Sequence, residues 1–122
     1  MNEVTLVMPA HPDYVWLARM ASADAGSRAG FDYEEIEDLR IAVTELCHVL
    51  LGDGAKGAVT LEFRTDDGAV TVAGRAEEPG APVTNEFSEI ILGKVVDVHA
   101  VRADGAARVF ELTKRGRAQT SV

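Results

Sequence analysis

Residues 30–51 read GFDYEEIEDLRIAVTELCHVLL, and this stretch carries the local signals of a long amphipathic helix. Asp32 stands at the N-cap position, and Glu35 three residues later completes a capping box. Phe31 before the cap and Ile36 inside the helix form a hydrophobic staple. Asp32, Glu34, Glu35, Glu37 and Asp38 load the first turns with negative charge, which suits the positive end of the helix dipole. Ile36, Leu39, Val43, Leu46, Cys47 and Leu50 recur at helical spacing. The helix is expected to end near Leu51, before Asp53 and Gly54.

Upstream, Val4 to Met8 alternates and is rich in β-branched and aliphatic residues, so it reads as a strand that Pro9 and Pro12 end. Pro12 suits the first turn of a helix. That helix is expected from Asp13 to about Arg28, with Tyr14, Leu17, Ala18, Ala21 and Ala25 along one face and Gly30 as its stop. Downstream, Ala58 to Thr65 and Ala69 to Arg75 form a hairpin through Asp66, Asp67 and Gly68. Val59, Leu61, Phe63, Val70 and Val72 are its apolar positions. After a loop with Pro79, Gly80 and Pro82, a short helix from about Asn85 to Val95 is expected to bury Phe87, Ile91, Leu92 and Val95. Val96 to Arg102 and Arg108 to Lys114 make a last hairpin. The order predicts an α+β fold, a two-layer α/β sandwich with helices on one face of a mostly antiparallel sheet.

The 122 residues are the size of one domain, spanning 1–122, with 47% apolar and 26% charged residues as expected of a globular chain. No apolar run approaches the ~20 residues of a membrane span, and the first residues have no basic, then apolar, leader pattern. A single cysteine, Cys47, excludes an internal disulfide and fits a reducing compartment, so a cytoplasmic location is expected. The net charge of -8 argues against nucleic acid and anionic membranes as partners. It fits either a basic protein partner or simple solubility. Lys114, Arg115 and Arg117 read as a short solvated tail.

Motifs of catalysis are missing. There is no GxxxxGK[ST] or GxGxxG phosphate loop and no GxSxG nucleophile turn. His11, His48 and His99 lack neighbours at metal-ligand spacing, so no metal is expected. Cys47 falls on the core side of its helix and reads as a small buried hydrophobe.

Three separated segments nevertheless agree with one known pattern in order and spacing. The stretch 30–51 resembles the second helix of the RsbW-like anti-sigma factors, serine-protein kinases of the GHKL group, whose fold is that of the ATP-binding domain of histidine kinases. VTLVMPAHPDYVWLARMAS, residues 4–22, is similar to that family's first strand and first helix. EIILGKVVDVHAVRADGAARVFELTK, residues 89–114, is similar to its last helix and terminal hairpin.

The resemblance implies three nucleotide-binding boxes, and the residues here depart from each. The family's Glu-x-x-x-Asn pairs a general base toward a partner's serine with a magnesium ligand. Glu45 matches the base, but Val49 stands at the Asn position and its isopropyl group offers no oxygen to a hard cation. Glu45 then reads as a vestigial base, a leftover helix-surface acid, in preference to a working general base. The adenine-binding Asp of the second box corresponds to Gly74 or Ala76 in VAGRAEEPGAP, residues 72–82. The glycine-rich phosphate turn corresponds to Asn85, Glu86, Phe87 and Ser88 in TNEFSEIIL, residues 84–92, where Glu86 and Glu89 would repel a triphosphate. The ATP lid is shortened.

What the resemblance implies is the fold, a homodimer, and a protein-binding role: an anti-sigma factor that sequesters an alternative sigma factor, with a STAS-type anti-anti-sigma factor as a further partner. No cofactor is expected. ATP with magnesium belongs to the alternative, an active kinase that phosphorylates a STAS-type protein. Arg19 matches the family's partner-contacting arginine on the first helix, against the plainer reading of a solvated arginine. Trp16, three residues earlier on the same face, is either interface or core, and core is the favoured reading.

Overall fold

The computed structural model describes residues 2–83 and 86–117, with the backbone alone at Glu86. Its elements are β1 (Glu3–Pro9), a 3-10 turn (Pro12–Tyr14), α1 (Val15–Arg28), α2 (Tyr33–Leu51), β2 (Lys56–Asp66), β3 (Ala69–Glu78), α3 (Glu86–Val95), β4 (Val98–Asp104) and β5 (Ala107–Arg115). The strands form one antiparallel sheet in the order β1-β2-β3-β5-β4. The architecture is the expected α+β sandwich of the GHKL-like type, with α2 central over the sheet.

The signals read from residues 30–51 operate as physical contacts. Asp32 accepts from the Glu35 N–H at 2.8 Å, and Glu35 accepts from the Asp32 N–H at 3.0 Å. Phe31 and Ile36 converge over Gly26 of α1, where an added Cβ would meet them at 3.2 and 3.1 Å. Glycine at 26 therefore lets the staple close the α1–α2 corner. One face of α2 then buries Leu39, Val43, Leu46, Cys47 and Leu50 completely. Burial raises the Cys47 thiol to about 12, so it serves as core and not as a nucleophile. The β2–β3 hairpin turns through Asp67 and Gly68, both at positive φ (47° and 74°), the backbone that a tight hairpin with native twist requires. Val59, Leu61, Phe63, Val70 and Val72 face the helices and are buried.

Three expectations are corrected. The buried stripe of α1 is Val15, Ala18, Ser22, Ala25 and Gly26, while Tyr14 and Leu17 are exposed. Small residues let α2 approach closely, so the larger apolar groups of α1 are turned to the neighbouring stripe. Phe87 is exposed at 72%, while Leu92 is buried as expected and Ser88 takes the other buried position of α3. Ile91 and Val95 are half-buried. Finally, the basic residues near the end are no solvated tail. Lys114 and Arg115 belong to β5. The Lys114 ammonium donates to the Val95 carbonyl at 2.9 Å. Arg117 pairs with Asp32 at 2.6 Å, fastening the segment just after β5 to the start of α2.

Candidate functional site

Two places collect the residues singled out from the sequence. The first lies at the C-terminal half of α2. Glu45 and Val49, one helical turn apart, line a pocket of about 280 Å³ together with His48, Pro12, Val83 and Ser88. The helical period puts them on one wall as anticipated. Glu45 is half-buried, and its carboxylate accepts a hydrogen bond from the Ser88 hydroxyl at 2.5 Å. Ser88, 4% exposed, comes from α3, so this contact fixes the α3 register and explains why Phe87 turns outward. Sequence reasoning missed it, since no periodicity links residues 43 apart.

Gly74 and Ala76 are not among the residues lining this pocket. Both face the helices from β3 and both are buried. An added Cβ at Gly74 would come within 2.7 Å of Leu50 Cδ2, 2.9 Å of Leu61 Cδ2 and 3.2 Å of Leu46 Cδ2. The site beneath α2 is therefore filled by leucine side chains. Just beyond it, the loop after β3 zips onto the end of α2. Asp53 and Ala81 exchange backbone hydrogen bonds at 2.9 Å, and the Gly80 N–H donates to the Leu51 carbonyl at 2.7 Å. Gly80 is tight enough that a Cβ would sit 2.1 Å from the Asp53 carbonyl oxygen.

Arg108 locks this junction. Its guanidinium donates to the carbonyls of Val49 (3.1 Å), Leu50 (3.2 Å) and Gly80 (2.9 Å). It thereby satisfies carbonyls that the last turn of α2 leaves open. The sequence held a signal for it: Arg108 alternates with Phe110 and Leu112, which places a charge on the core-facing side of β5. Asn85 lies outside the described residues, as does the side chain of Glu86. Glu89 contacts His99 at 3.0 Å. Among the described residues no three His, Cys, Asp or Glu side chains group to hold a metal ion. No described helix is long and apolar enough to cross a membrane.

The second place is the seam of α1 and α2. Trp16 is 55% exposed, which corrects the core reading. Its indole carries the Arg19 guanidinium at 5.0 Å from the ring centroid, and Arg40 of α2 approaches the same ring at 5.9 Å. The aromatic face attracts both cations. Arg40 went unnoticed in the sequence because its spacing to Trp16 crosses two helices.

No protein-family model matches the chain. Curated proteins do. A serine-protein kinase RsbW of Listeria monocytogenes is 44% identical over 71 residues, 58% of this chain and 41% of the relative. The RsbW serine-protein kinase of Bacillus pumilus is 42% identical over 73 residues, 52% of this chain and 45% of the relative. That of Bacillus velezensis is 38% identical over 67 residues, 52% and 42% respectively. The chain thus spans less than half the length of these curated relatives. Over these segments the chain is similar to RsbW serine-protein kinases, and its sheet order and helix placement agree with a GHKL-like sandwich.

Proposed function

We propose that the chain is an anti-sigma factor that holds an alternative sigma factor by protein–protein contact and does not run the kinase reaction of its relatives. The observation that carries this reading is the apolar character of the positions where the resemblance expects nucleotide ligands, one in the Glu45 pocket and the others under α2. The residue one turn from the base is Val49, and the acid expected at Gly74 or Ala76 is replaced by a glycine under leucine methyls and a buried alanine. A magnesium–nucleotide group needs oxygen ligands, which the side chains of Val49, Gly74 and Ala76 do not offer, and the space at Gly74 is filled by leucine methyls. Glu45, bound by Ser88, is a vestigial base in this reading. The function that remains is binding, through Arg19 and Trp16 on α1, of a sigma factor and of a STAS-type antagonist, in a homodimer. The acidic balance of the chain suits the basic DNA-reading surface of a sigma factor.

Calorimetry with magnesium-ATP separates this reading from an active kinase. No saturable heat is expected up to millimolar nucleotide, and Val49→Asn alone is expected to change nothing, since the other positions stay apolar. Micromolar binding, or phosphate transfer to a STAS-type protein, would establish the kinase instead.

Arg19→Ala is expected to weaken the complex with the co-purified sigma factor by about 1–3 kcal/mol, the range of an interface hot spot. The fold is expected to persist, because the residue is half-buried at the helix surface with no ion pair among the described residues. Binding measured beside circular dichroism checks both statements. Unchanged affinity in a folded variant removes Arg19 from the interface.

A further inference from the structure

We propose that Trp16, Arg19 and Arg40 together form a receptor for a carboxylate set beside an apolar side chain on the partner protein. This proposal rests on the reading of the chain as a protein-binding module, and it extends the site from α1 onto α2. The two guanidiniums lie 5.0 and 5.9 Å from the centre of one indole. Like charges held against one ring repel each other, and a carboxylate placed between them relieves that repulsion. The Nε atoms of both arginines are buried with no hydrogen-bond partner among the described residues. Their terminal N–H groups remain as donors for a carboxylate, in the planar geometry that a guanidinium favours. Glu37 occupies one Nη of Arg40 at 2.8 Å, which steadies that side chain, while Arg19 has no carboxylate partner among the described residues. The apolar half of the receptor is the exposed stripe of Trp16 and Met20, one turn apart and 55% and 56% exposed. In a chain of net charge -8, a seam bearing two arginines on an exposed tryptophan is a local reversal of sign. Charge complementarity thus selects an acidic segment, and the indole selects an apolar neighbour on it.

Trp16 is the sole tryptophan, so 5-fluorotryptophan labelling gives a single 19F signal at the proposed site. The labelled chain is titrated with the sigma factor that co-purifies from the source organism, and with its STAS-type proteins. The signal is expected to shift on complex formation. Arg40→Gln and Trp16→Leu are each expected to weaken binding about tenfold or more. Arg40→Lys is expected not to restore it, because an ammonium lacks the planar fork. Arg102→Ala, which removes the same charge from β4, is expected to bind as the parent does. Changing the partner's acids one at a time to the amide should reveal one whose loss is silent in the Arg40→Gln background, the mark of a direct pair. A complex that forms with an unmoved 19F signal, or with full affinity in Arg40→Gln, overturns this receptor and leaves the anti-sigma reading standing. If none of these proteins binds the chain, that reading falls and the receptor with it.

Discussion

Gly74→Asp is expected to destabilise the protein severely instead of restoring a nucleotide acceptor. Gly74 is buried in β3, opposite Leu61 of β2 and Phe110 of β5, beneath the apolar face of α2. Its missing Cβ leaves room that Leu50, Leu61 and Leu46 already fill, the nearest methyl lying 2.7 Å from where the Cβ would stand. Aspartate there adds two penalties. Overpacking a dense core costs about 1–3 kcal/mol. Burying a polar group with no donor beside it costs a further ~1–3 kcal/mol, and more if the carboxyl stays ionised. For a domain whose total stability is of order 5–15 kcal/mol, the sum is a large fraction. Gly74→Ala is expected to be far milder, near 1 kcal/mol, since all three contacts are the flexible ends of leucines. Urea denaturation of the three proteins orders them, with the midpoint falling steeply only for the aspartate variant. An aspartate variant as stable as the parent would show that the space above β3 is open, and the argument against a nucleotide would lose its chief support.

The contrast between α2 and its surroundings explains how much could be read from the sequence. Capping is local: Asp32 and Glu35 are three residues apart, so the signal and the structure coincide at that helix start. The hairpin at Asp67–Gly68 is local in the same way, since its backbone angles restrict which residues can stand there. The placement of Glu45 and Val49 on one pocket wall followed from the helical period alone. What periodicity misses is which stripe of a small-residue helix is buried, and α1 was misjudged for that reason. A row of Ala, Ser and Gly carries little hydrophobic contrast, and the buried line was set by the approach of α2. Contacts between distant segments were equally hidden. Ser88 reaching Glu45, Arg108 reaching Val49 and Gly80, and Arg40 reaching Trp16 all depend on how elements pack. Each involves a polar group brought to a buried or half-buried place, where it must find a partner once water is removed. The candidate site was therefore legible as a set of positions, and its chemistry only as an arrangement of neighbours.

Glu35→Ala is expected to be among the most costly polar-to-alanine changes in α2, although a helix N-terminus is ordinarily a forgiving place. Glu35 is 4% exposed, the rare case of a buried acid in the first turn of a helix. Both of its oxygens are used. One accepts from the Asp32 N–H at 3.0 Å, closing the capping box. The other accepts from the Arg117 N–H at 2.6 Å, and the Arg117 Nε lies 4.0 Å away. The side chain thus pins Arg117, just beyond β5, to the start of α2. Hydrogen bonds to a charged group contribute about 1.5–3 kcal/mol each, and a lost cap about 1 kcal/mol, so a combined loss of about 2–4 kcal/mol is expected. Glu34 supplies the control. It is exposed, 3.6 Å from Arg117, and Glu34→Ala is expected to change stability by about 0.5 kcal/mol or less. The cap also carries a pH dependence through Asp32, whose carboxyl is held below its ordinary value first by the Glu35 N–H and then by Arg117. A lowered folded-state pKa means that this contribution is present above the ordinary carboxylate pKa, about 4. It is lost as the pH falls through the lowered value. Losing the Glu35 side chain should loosen Arg117 and so diminish that acid-side loss as well. Urea or thermal melts of Glu35→Ala and Glu34→Ala at neutral and acid pH test the whole account. Equal melting of the two variants would mean that Glu35 is not the bolt between α2 and the end of β5.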